Sequence, residues 1–110
     1  MAELDQEELT QALAKIRLLL LDVDGVLTDG RIIYNDRGEE TKVFHVRDGL
    51  GIRLLIQADI EVGIVTGRSS RALFHRCRNL GITRVHDGVK DKVAALESIL
   101  AEAGLEKGQT

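Results

Sequence analysis

The segment LLLLDVDGVLTDG, residues 18–30, joins the longest apolar run of the chain to two aspartates one residue apart. Residues 18–24 predict a central parallel strand, because such strands are covered by helices on both faces and are apolar throughout. Side chains on a strand alternate with period 2, so Asp22 and Asp24 start out on the same face, and Gly25 permits a tight turn after them. Two carboxylates this close need a cation, which predicts an oxygen-binding ion such as Mg²⁺.

An aspartate pair of this kind is suited to phosphoryl transfer. One carboxylate can form an aspartyl-phosphate, and a second one two residues later can protonate the leaving oxygen and then deprotonate water. The alternative for a single aspartate at a strand end is a turn former or helix cap. An EF-hand is excluded, because counting from Asp22 puts Leu27 and Ile33 where the loop requires glycine and glutamate.

Length and composition predict one ordinary globular domain. The chain has 110 residues, 44% of them apolar, and a formal net charge of -3. No basic patch or aromatic-rich surface invites nucleic acid, and no apolar run is long enough to span a membrane. The polar, acidic start of the chain is unlike a signal peptide, so we expect a cytoplasmic protein. The single cysteine, Cys77, is expected to be a small buried side chain on a helix.

Strand patterns alternate with helix patterns along the chain, which predicts βαβ units, right-handed crossovers and an α/β fold with a parallel sheet. The remaining predicted elements are a helix over residues 3–15 that covers one edge of the domain, a hairpin over roughly 31–46 with its turn at 35–38, a helix over 47–59 with an apolar stripe at Leu50, Leu54 and Leu55, a strand over 61–67, a helix over 71–81 capped by Ser69 or Ser70 and Gly81, a strand over 82–88, and a helix over 89–105 closing at Gly104.

Chemically useful residues follow each predicted strand, and ligands of open α/β sheets bind at that edge. Thr66, Gly67 and Arg68 offer a hydroxyl and peptide N–H groups to an anion near a helix start, although they could also form an ordinary turn. Lys92, and less plausibly Lys90, lies in the first turn of the last helix, where the helix dipole disfavours a cation. Neutralising the aspartates and a phosphate would explain that lysine; a solvated surface lysine is the alternative.

These residues together resemble the haloacid dehalogenase (HAD) superfamily of phosphohydrolases. DVDGVLT matches its first motif, IVTG its second, and Lys92 its third. The resemblance implies a Rossmann-like three-layer sandwich. It also implies that Asp22 is the nucleophile and a Mg²⁺ ligand, that Asp24 is the general acid/base with its carbonyl on the metal, that Thr66 binds phosphate, and that Lys92 stabilises charge.

The sequence is similar in more detail to a cap-less branch of that superfamily, the 3-deoxy-D-manno-octulosonate 8-phosphate (KDO 8-phosphate) phosphatases. The matching segments are DVDGVLTDGRIIY, GEETKVFHVRDGLGIRLL, IEVGIVTGRSS, LGIT and GVKDKVAAL. The resemblance implies a sugar-acid phosphate substrate, a role in lipopolysaccharide precursor synthesis, and a homotetramer joined by the hairpin, which also walls the active site. A plain surface flap is the alternative for the hairpin. Arg47 and Asp48 are weaker substrate-binding candidates at its base, and Arg68 favours this branch over phosphatases of related nonulosonate phosphates.

One part of the family pattern is missing. Family members continue into a fourth strand that ends in Gly-Asp-Asp, and no acidic pair follows Lys92 at a strand end here. We therefore expect a truncated form with a weakened Mg²⁺ site, an exposed edge on the first strand and little activity on its own. A catalytically silent assembly subunit is the rival hypothesis. A phosphoaspartate receiver domain is disfavoured, because receivers lack an acid/base aspartate two residues after the phosphorylated one.

Overall fold

The computed structural model describes residues 5–110. The elements in chain order are α1 (Gln6–Ala14), β1 (Leu18–Leu21), β2 (Ile33–Tyr34), β3 (Glu40–Thr41), α2 (Val46–Gln57), β4 (Glu61–Val65), α3 (Arg71–Leu80), β5 (Arg84–His86), α4 (Lys92–Ala103) and a short 3-10 helix (Lys107–Gln109). Within this part of the chain, no helix is long and apolar enough to cross a membrane.

Three parallel strands form the sheet, in the order β1-β4-β5. β4 lies between the other two, and its Gly63 is aligned with Leu20 on one side and Arg84 on the other. The predicted hairpin is also present, although its ladder has only two residue pairs, Ile33 with Thr41 and Tyr34 with Glu40. The expected α/β class with a parallel sheet is confirmed.

The sheet lies between two layers of helices, and the alternation along β4 builds both. Val62 and Ile64 face a cluster that includes Ile52 of α2 and Leu73 of α3, and buried Cys77 belongs to the same cluster. Val65, which points the other way, packs with Leu18 and with Ile99 of α4. The result is a three-layer α/β/α sandwich with its carboxyl strand ends at one edge.

One expectation about the helices is wrong, and another is only partly right. No residue of α1 is buried, so this helix does not cover an edge of the domain as predicted, and residues 3 and 4 of the predicted helix lie outside the described range. On α2, Leu55 of the predicted stripe packs against the core, but Leu50 and Leu54 are exposed, and the buried residues are Gly49 and Ile52. The small Gly49 lies close to Arg76 and Leu80 of α3.

β1 is an edge strand in the sheet of residues 5–110, as expected from the sequence. The chain end covers only the start of its open side, where Arg17 donates a backbone hydrogen bond to Gln109 at 2.8 Å and the Thr110 hydroxyl donates one to the carbonyl of Leu18 at 3.1 Å. Farther along the strand, a groove of about 210 Å³ lies beside Leu20, Leu21 and Leu96.

Candidate active site

The carboxyl edge of the sheet gathers the predicted site residues. Asp22 follows β1 directly, and Thr66 follows β4 directly. Thr66 is a buried polar residue, at 2% exposure. Its N–H donates to the carbonyl of His86 at 2.9 Å, and its carbonyl accepts from the N–H of Val89 at 2.9 Å. The ends of β4 and β5 are therefore fixed relative to each other beneath the site.

The loop after β1 is a tight turn built from its own sequence. Gly25 has φ +80°, a conformation that L side chains rarely adopt. The Thr28 hydroxyl accepts from the N–H of Gly25 at 3.3 Å and from that of Gly30 at 3.2 Å, while the carbonyl of Val23 accepts from the N–H of Leu27 at 2.9 Å. These bonds turn the chain back immediately after the aspartates and leave both carboxylates at the sheet edge.

Lys92 contacts Asp22 directly. Its ammonium nitrogen lies 2.6 Å from Asp22 Oδ2, across 70 residues of chain. Lys92 is the first residue of α4, which is capped by the Asp91 side chain through the N–H of Ala94 at 3.1 Å. The helix dipole disfavours a cation in the first turn of a helix, and the ion pair with Asp22 explains why Lys92 lies there.

The Asp22 carboxylate is held in its charged form. Partial burial by itself would raise the pKa of Asp22, but the hydrogen bond and charge of Lys92 and the N–H of Val23, at 2.7 Å from Oδ1, together hold that pKa below its ordinary value. Asp22 is therefore an anion at neutral pH, as a carboxylate nucleophile must be.

Asp24 has its own cations, and one of them comes from the hairpin. Lys42, the residue after β3, places its ammonium nitrogen 2.6 Å from Asp24 Oδ1 and 3.1 Å from Glu40 Oε1. Arg68 places Nε 4.0 Å from Asp24 Oδ2, and another of its nitrogens donates to Glu40 at 3.1 Å. We call Asp24, Glu40, Lys42 and Arg68 the hairpin charge cluster.

Lys42 is buried inside this cluster. Its side chain is 3% exposed. Burial by itself would lower the pKa of Lys42, but its hydrogen bonds to Asp24 and Glu40 and the charges of both acids raise that pKa above its ordinary value. Lys42 is therefore a permanent cation at neutral pH.

Protein cations lie against both aspartates in the part of the chain that the structure describes. Asp22 is paired with Lys92, and Asp24 is paired with Lys42. Asp22 and Asp24 offer the oxygen ligands that Mg²⁺ prefers, yet residues 5–110 place no group of three or more His, Cys, Asp or Glu side chains for a metal. The described residues by themselves do not fit a complete Mg²⁺ site.

The other predicted residues lie around this centre. Gly67 is exposed beside the carbonyl of Val89, and the N–H of Arg68 donates to the Thr66 hydroxyl at 3.4 Å. Arg47 and Asp48 lie in the exposed first turn of α2, where Asp48 borders a separate groove with Phe44 and His45. The described contacts bring neither of them to the aspartates.

Sequence reasoning missed Lys42 and Glu40, although both stand inside a segment that resembles the phosphatases. The signal lies in the sequence Glu40-Thr41-Lys42 at the end of the hairpin, since residues i and i+2 of a strand share a face. In the structure Glu40 and Lys42 pair with each other at 3.1 Å, and they also contact Arg68 and Asp24 respectively.

A parallel α/β/α sandwich with Asp22, Asp24, Thr66 and Lys92 at its carboxyl edge has the Rossmann-like fold of the HAD superfamily. A solved structure assigned to HAD subfamily III A, from Legionella pneumophila, matches 94% of this chain with a TM-score of 0.89 and 40% identity, and the match covers 57% of that structure.

Curated proteins similar to this chain include KDO 8-phosphate phosphatases. KdsC, the phosphatase of Yersinia pestis, is 50% identical over 95 residues, which is 86% of this chain and 51% of the relative. The Moraxella catarrhalis phosphatase, solved with magnesium, phosphate and KDO, matches 94% of this chain and 60% of its own length, with a TM-score of 0.90 and 43% identity.

These matches cover only part of the length of each relative. This chain spans about half the length of the curated relatives it matches, 51% for the Yersinia pestis protein. No protein-family model matches the sequence.

Proposed function

We propose that this chain carries the reacting groups of a phosphatase for sugar-acid phosphates, with KDO 8-phosphate as the substrate. The observation that carries the proposal is the 2.6 Å contact between Lys92 and Asp22, with Asp24 two residues away on the same turn. It joins a charged nucleophile, a candidate acid/base and a charge-stabilising lysine at one sheet edge.

The residues suggest a two-step reaction. Asp22 attacks phosphorus, and the bond from phosphorus to the sugar oxygen breaks as Asp24 protonates that oxygen. Asp24 then takes a proton from water, which attacks the aspartyl-phosphate, frees inorganic phosphate and restores Asp22. Thr66, Gly67 and Arg68 would bind the phosphate oxygens, and Lys92 would stabilise their charge. Arg47 and Asp48 remain weaker substrate-binding candidates.

Magnesium is the cofactor we propose, since the Moraxella catarrhalis phosphatase was solved with a magnesium ion. Asp22 and Asp24 would supply part of its coordination, together with ligands from outside residues 5–110. A divalent ion at this position would neutralise phosphate oxygens. We further propose that residues 1–110 are the amino-terminal part of one cap-less phosphatase domain that acts in the cytoplasm, in lipopolysaccharide precursor synthesis.

The substrate assignment rests on the relatives and on the cationic side chains at the site. KDO 8-phosphate carries a phosphate and a carboxylate, and Arg68 and Lys92 are cations at this edge of the sheet. The Moraxella catarrhalis structure holds both phosphate and KDO. A phosphatase of a related nonulosonate phosphate would use the same groups, and comparing the two substrates would separate these assignments.

The test joins this chain to the second half of the Yersinia pestis phosphatase and measures phosphate release from KDO 8-phosphate. We expect magnesium-dependent release by the fusion, little release by the 110-residue chain alone, and none by the fusion with Asp22→Asn. Lys107→Met is the matched control, because Lys107 is exposed on the 3-10 helix far along the chain from the site residues. Release that survives Asp22→Asn would refute the nucleophile assignment.

A catalytically silent assembly subunit is the second candidate. Protein cations already neutralise both aspartates, and the described residues contain no third acidic metal ligand at the site. The silent subunit would keep the hairpin as an interface and would give no release in the fusion either. For both candidates we propose a homotetramer assembled through the hairpin.

A further inference from the structure

We propose that Lys42 is a positioning residue of this site, whose ammonium group fixes the Asp24 carboxylate and anchors the hairpin beside it. Lys42 donates to Asp24 Oδ1 at 2.6 Å and to Glu40 Oε1 at 3.1 Å. The inference rests on the proposed function only for the role given to Asp24. The contacts that define Lys42 do not depend on that role.

The burial of Lys42 separates it from ordinary surface lysines. Its side chain is 3% exposed, whereas Asp24 and Glu40 are 30% and 15% exposed. A long ammonium side chain normally keeps its charged end in water, and a buried one is retained only where hydrogen bonds replace that water. Lys42 is therefore an integral part of the site, unlike a lysine in a solvent-exposed ion pair.

The hairpin charge cluster connects three separate segments. Lys42 reaches the loop after β1 through Asp24, and Glu40 reaches the loop after β4 through Arg68 at 3.1 Å. Because Glu40 begins β3 and Lys42 follows it directly, one short segment of the hairpin makes both contacts. The position of the hairpin therefore sets the positions of Asp24 and Arg68 together.

The same contact distinguishes the two oxygens of Asp24. Oδ1 accepts the hydrogen bond from Lys42, and Oδ2 faces Arg68 Nε at the longer distance of 4.0 Å. Lys42 therefore fixes Oδ1, and Oδ2 is the oxygen on the side of Arg68.

The first experiment uses the unmodified 110-residue chain and measures reductive methylation of each lysine by mass spectrometry. We expect Lys42 to react at least about tenfold more slowly than the exposed Lys15 and Lys107, because its amine is buried and bonded. Asp24→Asn should speed the reaction at Lys42 and leave the exposed lysines unchanged. Lys42 reacting as fast as the exposed lysines would overturn the proposal.

The second experiment replaces Lys42 and follows the site by NMR. Lys42→Met should shift the Asp24 carboxyl carbon resonance and speed amide exchange at Asn35, whose N–H bonds Glu39 in the hairpin, by about tenfold. Lys42→Arg, which keeps a cationic donor, should restore most of both signals. Arg37→Met is the matched control, since it removes an exposed cation from the turn of the same hairpin.

An Asp24 resonance that Lys42→Met leaves in place, or a Lys42→Arg variant no better than the methionine, would contradict a positioning role. None of these measurements requires turnover. A failed phosphatase assay therefore refutes the proposed function and leaves Lys42 as the anchor of Asp24, whereas failed NMR and methylation tests refute the anchor and leave the phosphatase proposal standing.

Discussion

Asp22 is the residue on which the charge balance of the site depends. Its carboxylate meets the Lys92 ammonium at 2.6 Å and the N–H of Val23 at 2.7 Å. These contacts oppose the cost of partial burial and leave the pKa of Asp22 below its ordinary value. A group with a lowered pKa in the folded state contributes stability that is present above its unfolded pKa and is lost as the pH falls through the folded pKa.

The acid side of the pH range therefore tests the Asp22–Lys92 pair. Lys92→Met should raise the NMR titration midpoint of Asp22, because partial burial still raises its pKa and the lysine no longer lowers it. The pair's contribution to the free energy of unfolding should be present at pH 7, begin to fall below about pH 4 and be lost once the pH is below the folded pKa of Asp22. Carboxyl NMR titration and urea unfolding from pH 7 down through that range check this, with Lys107→Met as control. Equal midpoints in the wild type and Lys92→Met would contradict the pairing.

At the residue scale, the sequence predicted the part of the site that follows from strand ends. Asp22, Thr66 and Lys92 meet at the carboxyl edge because parallel strands bring their ends together. Lys42 and Glu40 could not be placed in this way, because their positions depend on how the hairpin folds back onto the sheet. That docking is a tertiary arrangement, and a two-pair hairpin carries little sequence signal for its direction.

The two glycines of helix α2, Gly49 and Gly51, have different surroundings. Gly49 is buried, and a Cβ there would meet Arg76 of α3 and lie 3.1 Å from Leu80. Gly51, two residues later, is exposed with nothing within 4 Å of an added Cβ. The first glycine permits close packing of α2 on α3, and the second has no such role in the structure.

A pair of substitutions separates these two glycines. Gly51→Ala should raise the free energy of unfolding by about 0.5–1 kcal/mol, because alanine loses less backbone entropy in a helix. Gly49→Ala has the same gain available but must displace Arg76 and crowd Leu80, so it should give no increase. Urea unfolding of both variants measures the difference, and equal stabilisation by the two would contradict the packing seen at Gly49.

At the element scale, hydrophobic periodicity predicted where strands and helices lie but not always which face is buried. The stripe of Leu50 and Leu54 on α2 is apolar by pattern and exposed in the structure. The buried residues of α2 are Gly49 and Ile52, and a pattern of large apolar side chains does not include the glycine. In β4 the alternation is unambiguous, since both faces are covered and each apolar residue has a helix to meet.

At the scale of the whole molecule, apolar side chains remain exposed on the hairpin and on α2. They are Ile32 at 54%, Ile33 at 37%, Tyr34 at 59%, Val43 at 56%, Val46 at 78%, Leu50 at 61% and Leu54 at 56%. Exposed apolar groups scattered singly are ordinary, and the proposed homotetramer would give those of the hairpin a partner. A second copy of the chain is the partner that the proposed homotetramer requires.

Charge placed on the hairpin should therefore prevent assembly. Ile32→Glu adds a carboxylate that association through the hairpin would have to desolvate, so this variant should be a monomer where the wild type is a tetramer. Leu13→Glu is the matched control, because Leu13 is 61% exposed on α1, a helix with no buried residue, and it should leave the assembly intact. Light scattering after size exclusion gives the mass of each. A monomeric wild type, or a tetrameric Ile32→Glu variant, would show that the hairpin does not join the subunits. If both Ile32→Glu and Leu13→Glu lost the assembly, added charge in general would be the cause, and the hairpin would have no special role.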